Sequence, residues 1–516
     1  MVDPRTPVLV GVAETTDRID APDYAALSAH ALAARAVREA IDDARAAGNL
    51  ASRIEVIATT RTFEDSAPGL PSFGKSDNFP RSVARHAGID PALAIWTYVG
   101  GNTPQDLVSE MCERIGSGEF SAVLLAGAEV ISTVRHARAT GQDLDFAESP
   151  GGSVEDRGLG LDGVFDPITT RHGVVTAPIG YALLENGRRA GLGLDRNTYA
   201  REMGRLFAPL AAIAHDNPNS AWNVPAYTAN ELVAPGSHNR WIADPYSLRL
   251  VSRDQVNQAA AVVILSIATA RELKVPEDRW VFLHGYAKAT ERPMLHRPDL
   301  GASPAAQAVA RSAIDRAGAY VDAIDLFDFY SCFPIAVSTV ACDALGLNAD
   351  DPRKLTVTGG LPFFGGPGNN YSMHAIVEMV RKLRARPRSR GFVGANGGFL
   401  SKYSAGVYST EPRGWQPCGN EDLQRALDAA PGPAVLESYA GLGQVETYTI
   451  TYDRDGPQRA IIIGRTSNGQ RFIASSHAGD IPALKAFEQT DPIGLIVAVA
   501  HDSKAGVNLF RTENAF

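Results

Sequence analysis

Short apolar runs alternate with amphipathic segments through the first 135 residues of the chain. The runs typical of buried strands cover residues 7–12, 54–59, 94–99 and 122–126. The segments whose composition and apolar spacing predict helices cover residues 24–47, 80–87 and 104–116. Strands that alternate with helices in this way favour a parallel, layered α/β sheet.

The same alternation returns after an irregular stretch. Residues 135–240 are rich in Gly, Pro, Asp and Asn, which predicts an excursion from the core with helical patches such as 199–214. Further strands are predicted over residues 259–266, 281–286, 324–329 and 391–395, and further helices over 304–317, 335–345 and a segment ending at 384. Both series run strand, small-residue loop and helix. We therefore predict two related α/β halves, residues 1–275 and 276–412, without recognisable residue identity between them.

The pattern of the sequence changes after residue 412, where short β-type runs replace the alternation of strands and helices. The short β-type runs after residue 433 cover residues 434–439, 444–453, 459–465, 470–475 and 495–501. Five strands in under about 100 residues predict a small closed or partly closed barrel of the OB type. Residues 413–516 are therefore interpreted as a linker, which begins RGWQPCGN, followed by a small β domain that docks on the core or covers its pocket.

Composition and charge narrow the functional classes. A chain of 516 residues with 45% hydrophobic and 21% charged residues is an ordinary globular protein of about three domains. Its formal net charge of −9 gives no general attraction for phosphate backbones or anionic membranes. Residues 431–516 hold seven Lys/Arg against nine Asp/Glu, a poor nucleic-acid surface. We therefore expect neither a nucleic-acid nor a membrane partner.

The expected compartment of the protein and the redox state of its cysteines follow from sequence signals that are absent. The N-terminal segment MVDPRTPVLVGVAETTDR has no basic stretch followed by a long apolar run, and no later segment reaches the roughly 18 apolar residues of a membrane span. The chain's four cysteines are too scattered for a disulfide framework. We therefore expect a cytoplasmic protein whose cysteines are free thiols.

Several glycine-punctuated motifs, taken together, form a specific signature. They read GSGEFSAVLLAGAE, LFAPLAAIAHDNPNSAW, NQAAAVVILS, IDLFDFYSCF, GGLPFFGGPGNN and GANGGF. In this order they resemble the thiolase superfamily, and specifically its sterol-carrier-protein-type thiolases and the thiolase-like proteins near them. The resemblance covers about residues 5–410. It implies two related strand–helix halves in a layered α/β/α/β/α core, to which this chain adds its C-terminal barrel.

The resemblance also implies where catalytic groups belong. Thiolases carry a nucleophilic cysteine at the start of the first loop–helix, and this position is Gly101 here. Their activating histidine lies in a Gly-His-Pro turn, where this chain has Gly366. Because a nucleophile and its activating group work as a unit, thiolysis through an acyl-cysteine is not expected.

A third thiolase motif retains one polar group in register. The family sequence His-Asp-Cys-Phe appears here as Tyr330-Ser331-Cys332-Phe333. Tyr330 and Cys332 are therefore candidate acid/base residues, and His374, in the first turn of the following helix, is a third candidate. Each has a structural alternative: a core aromatic for Tyr330, a buried thiol for Cys332 and a turn-capping imidazole for His374.

The glycine-rich turns supply candidate binding groups. Backbone N–H groups around Gly101, Gly366 and Gly397 are expected to cradle a thioester oxygen, because they do not depend on the missing side chains. Asn102 and Asn396 are candidate binding residues in the same turns. Asn102 equally suits a cap for the helix that begins near Pro104, and Asn396-Gly397 is also a common turn dipeptide.

Three functions stay open at this stage. The first is a thiolase-fold protein that binds a coenzyme A thioester of lipid metabolism, with acyltransferase ancestry, altered or absent chemistry and no permanently bound cofactor. The second is a carbon–carbon lyase, because some thiolase-fold aldolases of steroid side-chain breakdown use tyrosine as acid/base and require a partner with an OB-type domain. The third is a non-catalytic acyl-CoA-binding scaffold. Whether the added domain preserves or blocks the usual thiolase dimer is also open.

Overall fold

The computed structural model describes residues 2–66, 72–477 and 479–511. The strands of the first half are β1 (Pro7–Thr16), β2 (Val56–Thr59), β3 (Leu93–Trp96), β4 (Ala122–Val130), β5 (Glu155–Asp156), β6 (Trp241–Ala243), β7 (Tyr246–Ser247) and β8 (Asn257–Ser266). Those of the second half are β9 (Phe282–Thr290), β10 (Leu326–Asp328), β11 (Arg390–Gly397) and β12 (Lys402–Ser409). The C-terminal region adds β13 (Gly441–Tyr452), β14 (Pro457–Arg465), β15 (Arg471–Ser476), β16 (Ile496–Asp502) and β17 (Val507–Arg511).

Helices connect and cover these strands. The first group is α1 (Ala29–Asp43), α2 (Phe63–Ser66), α3 (Phe79–Ala87), α4 (Thr103–Gly116) and α5 (Ile131–Thr140). The excursion holds α6 (Pro167–Arg171), α7 (Ala177–Gly191), α8 (Arg196–Asp216) and α9 (Ala229–Val233). The remainder are α10 (Ile267–Glu272), α11 (Pro304–Arg316), α12 (Pro334–Val337), α13 (Tyr371–Ala385), α14 (Glu421–Ala429) and α15 (Ile481–Gln489). Within the described residues, no helix is both long enough and apolar enough to cross a membrane.

The core consists of two sheets separated by a helical layer. The first sheet has the order β1-β8-β4-β2-β3-β5, and the second has the order β10-β11-β12-β9. Apolar side chains of α4 and α13 pack in one cluster with the facing sides of both sheets. Helices α1 and α3 cover the outer face of the first sheet, and α11 covers the second. This arrangement is the predicted α/β/α/β/α layering of two related halves. The sheets are mixed and not parallel as predicted, since β8 pairs antiparallel with β1 and β4, and β12 pairs antiparallel with β11 and β9.

Close packing of α1 on the first sheet depends on one small residue. A Cβ built on Gly11 of β1 would overlap the carbonyl oxygen of Ala40 in α1. Alanines at 33, 36 and 40 on the buried face of the helix let the two backbones approach. The alanine-rich composition of this segment is therefore a packing feature as well as a helix-forming one.

The predicted C-terminal barrel is present, with two changes of detail. Strands β13, β14, β15, β17 and β16 pair in a closed ring. The run 434–439 is not a strand, because only Val435 makes a bridge, to Arg471. Strand β17 was not predicted, since its five residues offer too short a pattern.

In the core, the predicted helix over 335–345 also differs, since α12 is short and continues as a π-helix over Ser338–Cys342.

The barrel is joined to the core by buried polar contacts. Arg471 of β15 is fully buried, and its guanidinium donates to the carbonyl oxygens of Leu295 at 2.9 Å and Arg297 at 2.6 Å. Glu446 of the barrel accepts from the same guanidinium at 2.7 Å. Strand β6, which follows the excursion, also pairs with β13. Because the buried Arg471 guanidinium is hydrogen-bonded to both the barrel and the core, separating the two would leave it unpaired and cost free energy.

The segment predicted as a linker is held against the core. The rings of Trp415 and Tyr286 stack with centroids 5.4 Å apart. In α14, the side-chain amide of Gln424 accepts from the backbone N–H of Thr290 at 2.8 Å and donates to its carbonyl at 3.1 Å. This pair of bonds caps the exposed edge of β9.

These contacts predict resistance to limited proteolysis between residues 413 and 433. The native chain should not be cut within this segment, because cleavage requires the segment to open locally and its contacts with the core oppose that opening. Intact-mass analysis of timed digests measures this. Trp415→Ala removes the stacked ring and should accelerate cleavage there. Rapid release of a C-terminal fragment from the unsubstituted native chain would contradict the prediction.

Candidate functional site

A cavity of about 240 Å³ opens where the two halves meet, at the N-terminus of α4. Residues that follow β10 and residues at the end of β11 line it, and exposed residues of the excursion such as Phe165 and Val175 form its mouth. The apolar side chains that line it are Phe63, Val99, Leu161, Val164, Phe165, Val175, Ala177, Phe333, Leu361 and Phe399. The polar side chains are Tyr181, Ser252, Asp254, Tyr330, Cys332, Asn369, Asn396 and Lys402. Gly101, Gly366 and Gly397 line the same cavity.

Gly101 and Tyr330 face one another at the start of α4. A Cβ built on Gly101 would overlap both the hydroxyl oxygen and Cζ of Tyr330, and would lie 2.6 Å from the carbonyl oxygen of Asn396. The backbone at Gly101 is not in the left-handed region, so conformation alone does not require glycine there. Glycine is required because the phenol fills the adjoining space. The tyrosine hydroxyl thus lies where the first atoms of any side chain at 101 would be.

The Tyr330 phenol is neutral. Its residue is 7% exposed, and its ring packs edge-on against Tyr371 with centroids 5.3 Å apart. Burial raises the pKa of Tyr330 well above its usual range, and the neighbouring Cys332 adds to this. A neutral phenol donates a hydrogen bond and does not act as a base at neutral pH.

Cys332 belongs to a polar group beside Tyr330. The Asn396 side-chain amide lies 3.6 Å from the Cys332 sulfur and donates to the Tyr181 hydroxyl at 2.6 Å. Tyr181 in turn donates to the carbonyl of Gly398 at 2.9 Å. Burial raises the pKa of Cys332 to about 12, although Tyr181 and Asn396 oppose the shift. Cys332 is therefore a thiol and not a thiolate, which makes it a weak nucleophile.

Two fully buried polar side-chain atoms of residues that line the cavity have no hydrogen-bond partner among the described residues. They are the amide oxygen of Asn396 and the hydroxyl of Ser252. Buried polar atoms normally have a partner, since an unpaired one costs about 1–3 kcal/mol. Both atoms belong to residues that line the cavity, so a ligand or water there could satisfy them.

Two of the glycine-rich turns use their backbone amides internally. The N–H of Gly366 donates to the carbonyl of Arg253 at 2.8 Å, and that of Gly100 donates to the side chain of Asn369 at 2.9 Å. The amide of Gly366 is therefore not a free donor, although the residue lines the cavity. No acceptor for the Gly101 N–H is found in the part of the chain that the structure describes.

Asn102 lies in the wall behind the cavity. A Cβ on either Gly100 or Gly397 would overlap its amide oxygen, so its side chain fills the space between the two turns. It forms no side-chain cap for α4, but its carbonyl accepts from Asp106 at 3.1 Å. Asn102 faces a second cavity of about 450 Å³, which Tyr98 and Lys402 also line. The structure therefore separates Asn102 from the residues around Tyr330.

His374 is not brought into the cavity. Its ring packs on Phe364 with centroids 5.4 Å apart, and Phe364 packs on Tyr371. Its Nδ1 lies 2.8 Å from a carboxylate oxygen of the buried Glu14. Burial lowers the pKa of His374, and the positive charge of Arg381 adds to this. The imidazole is therefore a neutral, structural member of a buried polar cluster, but it pairs with Glu14 and does not cap its own turn as the structural alternative supposed.

Several cavity residues could not be found from the sequence. Tyr181 lies at the start of a helix in the excursion, and Ser252 and Asp254 lie in an irregular segment after β7. Lys402 begins the unpredicted strand β12. None belongs to a recognisable motif, and only the fold brings them together with residues that are far away in the sequence, such as Lys402 with Val99, 303 positions apart.

The fold and this site define a thiolase-fold protein in which a tyrosine hydroxyl faces a glycine at the start of the helix. The chain belongs to the SCP2-thiolase-like protein type 1 family. It is 40% identical to the monomeric SCP2-thiolase-like protein type 1 of Mycobacterium smegmatis, covering 99% of this chain and 100% of that one, with a TM-score of 0.85. The family of the thiolase-like protein type 1 additional C-terminal domain matches residues 422–504.

More distant structures share the fold. The dimeric peroxisomal thiolase of Saccharomyces cerevisiae is 16% identical over 80% of this chain and 99% of its own, with a TM-score of 0.56. The Ltp2–ChsH2(DUF35) aldolase is 19% identical over 79% of this chain and 98% of its own, with a TM-score of 0.55. A search of curated proteins finds no match. A monomer and a dimer both occur among these relatives, so the oligomeric state of this chain is open.

Proposed function

We propose that the chain binds a coenzyme A thioester in the cavity at the N-terminus of α4, and that Tyr330 donates a hydrogen bond to the thioester oxygen. One observation carries the proposal: the Tyr330 hydroxyl lies where the side chain of residue 101 would otherwise be. That position adjoins the start of a helix of 14 residues, whose dipole favours developing negative charge.

The donors at this position suit an acyl oxygen. A neutral phenol and the N–H of Gly101 are both hydrogen-bond donors, and neither carries charge. Two such donors stabilise negative charge on a carbonyl oxygen in a water-poor site. They do so without a covalent bond to the protein, which agrees with the buried, un-ionised Cys332.

The mouth of the cavity suits an apolar acyl group. Phe63, Phe165 and Val175 line it and are 40%, 41% and 56% exposed. Phe165 packs edge-on against Phe399 deeper in the cavity, with centroids 5.4 Å apart. Exposed apolar side chains that converge on one opening favour binding of an apolar group there.

Incubation with acetyl-CoA should leave no acyl group on the protein. Cys332 is protonated at neutral pH, and residue 101 is glycine, so the cavity offers no thiolate to attack the thioester. Intact-mass spectrometry before and after incubation measures this, and acetoacetyl-CoA thiolysis should be undetectable. A stoichiometric adduct on Cys332 would contradict the account of this site.

A second candidate is retro-aldol cleavage of a β-hydroxyacyl thioester. In that reaction a base removes the proton of the β-hydroxyl, the carbon–carbon bond breaks to release a carbonyl compound, and the enolate left on the thioester takes up a proton. Tyr330 fits the role of donor to the enolate, and the Asp254 carboxylate in the same cavity fits the base. The Ltp2–ChsH2 structure, an aldolase of the same fold, supports this candidate.

Calorimetry with CoA, acetyl-CoA and a long-chain acyl-CoA tests the proposal. Affinity should rise from CoA to the long-chain ester, because the acyl group enters the apolar cavity. Phe165→Ser should reduce the gain from the acyl chain and leave the affinity for CoA unchanged. If none of the three compounds binds, the thioester proposal is wrong, and an acyl-CoA-binding scaffold is excluded with it.

A further inference from the structure

Two histidines and a glutamate meet on the first half, away from the cavity described above. The Nε2 atoms of His30 and His86 each lie 2.9 Å from the same carboxylate oxygen of Glu148. Their rings are 4.9 Å apart at an angle of 48°. The three nitrogen and oxygen atoms all lie within 4.8 Å of one another. Two imidazoles and one carboxylate form a ligand set that first-row divalent metals accept.

Three well-anchored segments hold these side chains. His30 lies in the first turn of α1, and His86 lies in the last turn of α3, where its carbonyl accepts from Arg38 at 2.7 Å. The backbone of Glu148 bridges to Ser76, and its carbonyl accepts from Asp77 at 3.0 Å. The convergence therefore does not depend on one flexible loop.

The remaining contacts leave the ligand atoms available. The second carboxylate oxygen of Glu148 lies 3.4 Å from the guanidinium of Arg85, which orients the carboxylate without using the oxygen that faces the histidines. A neutral imidazole is the form that binds a metal.

The distances suit replacement of shared protons by a metal ion. Zn²⁺ bonds of about 2.1 Å at tetrahedral angles place ligand atoms about 3.4 Å apart. Each histidine nitrogen, now 2.9 Å from the carboxylate oxygen, would move away from it by about half an ångström. The two nitrogens, which lie within 4.8 Å of one another, would adopt the same separation of about 3.4 Å. His30 also lines an adjacent cavity of about 360 Å³, which gives room for a water molecule as a fourth ligand.

From this geometry we propose that His30, His86 and Glu148 bind one Zn²⁺ ion per chain. The ion would tie α1 and α3 to the segment around Glu148 and so act as a structural site. Nothing in the proposal depends on the thioester function, because these three residues do not line the Tyr330 cavity.

Titration of the full chain with Zn²⁺ tests the site. After treatment with EDTA and desalting, calorimetry should detect one ion per chain, and the melting temperature should rise with Zn²⁺ concentration. His86→Gln should abolish both effects. His86 is partly exposed, so its loss should not prevent folding, which circular dichroism can verify. Glu148→Gln should weaken binding in the same assay.

His238→Gln serves as the matched control, because His238 is exposed and lies in a different loop. It should bind Zn²⁺ as the unsubstituted chain does. The proposal is wrong if the unsubstituted chain binds no Zn²⁺. It is equally wrong if His86→Gln binds with unchanged stoichiometry and affinity, since the cluster would then be a set of hydrogen bonds alone.

Discussion

Gly101→Ala is expected to destabilise the protein by about 1–3 kcal/mol, the usual cost of an added methyl group in a filled core. The new Cβ would overlap the hydroxyl and Cζ of Tyr330, so the phenol must move or the start of α4 must shift. Chemical denaturation of the two proteins measures the free energy of unfolding. Gly236→Ala is the control, since a Cβ there meets no atom within 4 Å, and it should change stability by less than about 0.5 kcal/mol.

The cause can be assigned by a double-mutant cycle with Tyr330→Ala. That substitution empties the space in front of residue 101, so Gly101→Ala should cost much less in its presence. A coupling free energy of about 0.5–3 kcal/mol is typical of residues in direct contact. Additive effects of the two substitutions would mean that Tyr330 does not fill the place of the missing side chain.

Tyr330→Phe is expected to weaken thioester binding by about 5- to 150-fold. Removal of the hydroxyl leaves a bound carbonyl oxygen without one donor, which costs about 1–3 kcal/mol. The affinity for CoA without an acyl group should not change. If the chain also cleaves a β-hydroxyacyl thioester, the same substitution should lower the rate by about 10²–10⁴-fold, as expected for a group that transfers a proton.

Tyr320→Phe provides the matched control for this substitution. Tyr320 is 84% exposed and lies outside the cavity, so removal of its hydroxyl should affect neither affinity nor rate. Unchanged acyl-CoA affinity in Tyr330→Phe would exclude the hydrogen bond on which the proposal depends. A cleavage rate that also stayed unchanged would exclude the lyase candidate.

The layered core could be predicted because its signals are local. Each buried strand of the first half is an apolar run, and α4 carries its apolar residues at helical spacing. Strand β12 escaped prediction because its sequence KYSAGVYS mixes small and polar residues. The strand is buried because α4 and α11 pack against it, and its own sequence does not show this. The strand predicted over 434–439 is wrong for the opposite reason. Its residues favour a strand, but only Val435 finds a partner there, Arg471.

The site was predictable only where a motif marked it. Gly101, Tyr330, Cys332, Gly366, Asn396 and Gly397 all line one cavity although they come from both halves of the chain. His374 and Asn102 lie within eight residues of motif positions but do not line this cavity, since His374 contacts Glu14 and the Asn102 side chain fills the space between Gly100 and Gly397. Sequence spacing does not set the direction of a side chain.

The most direct test of the account is a crystal structure of the full chain with a non-hydrolysable acyl-CoA analogue that retains the acyl carbonyl oxygen. We expect that oxygen within hydrogen-bonding distance of the Tyr330 hydroxyl at the N-terminus of α4, with the acyl group beside Phe165 and Phe399. An analogue bound elsewhere, or bound in the cavity with its acyl oxygen away from Tyr330, would contradict the central claim.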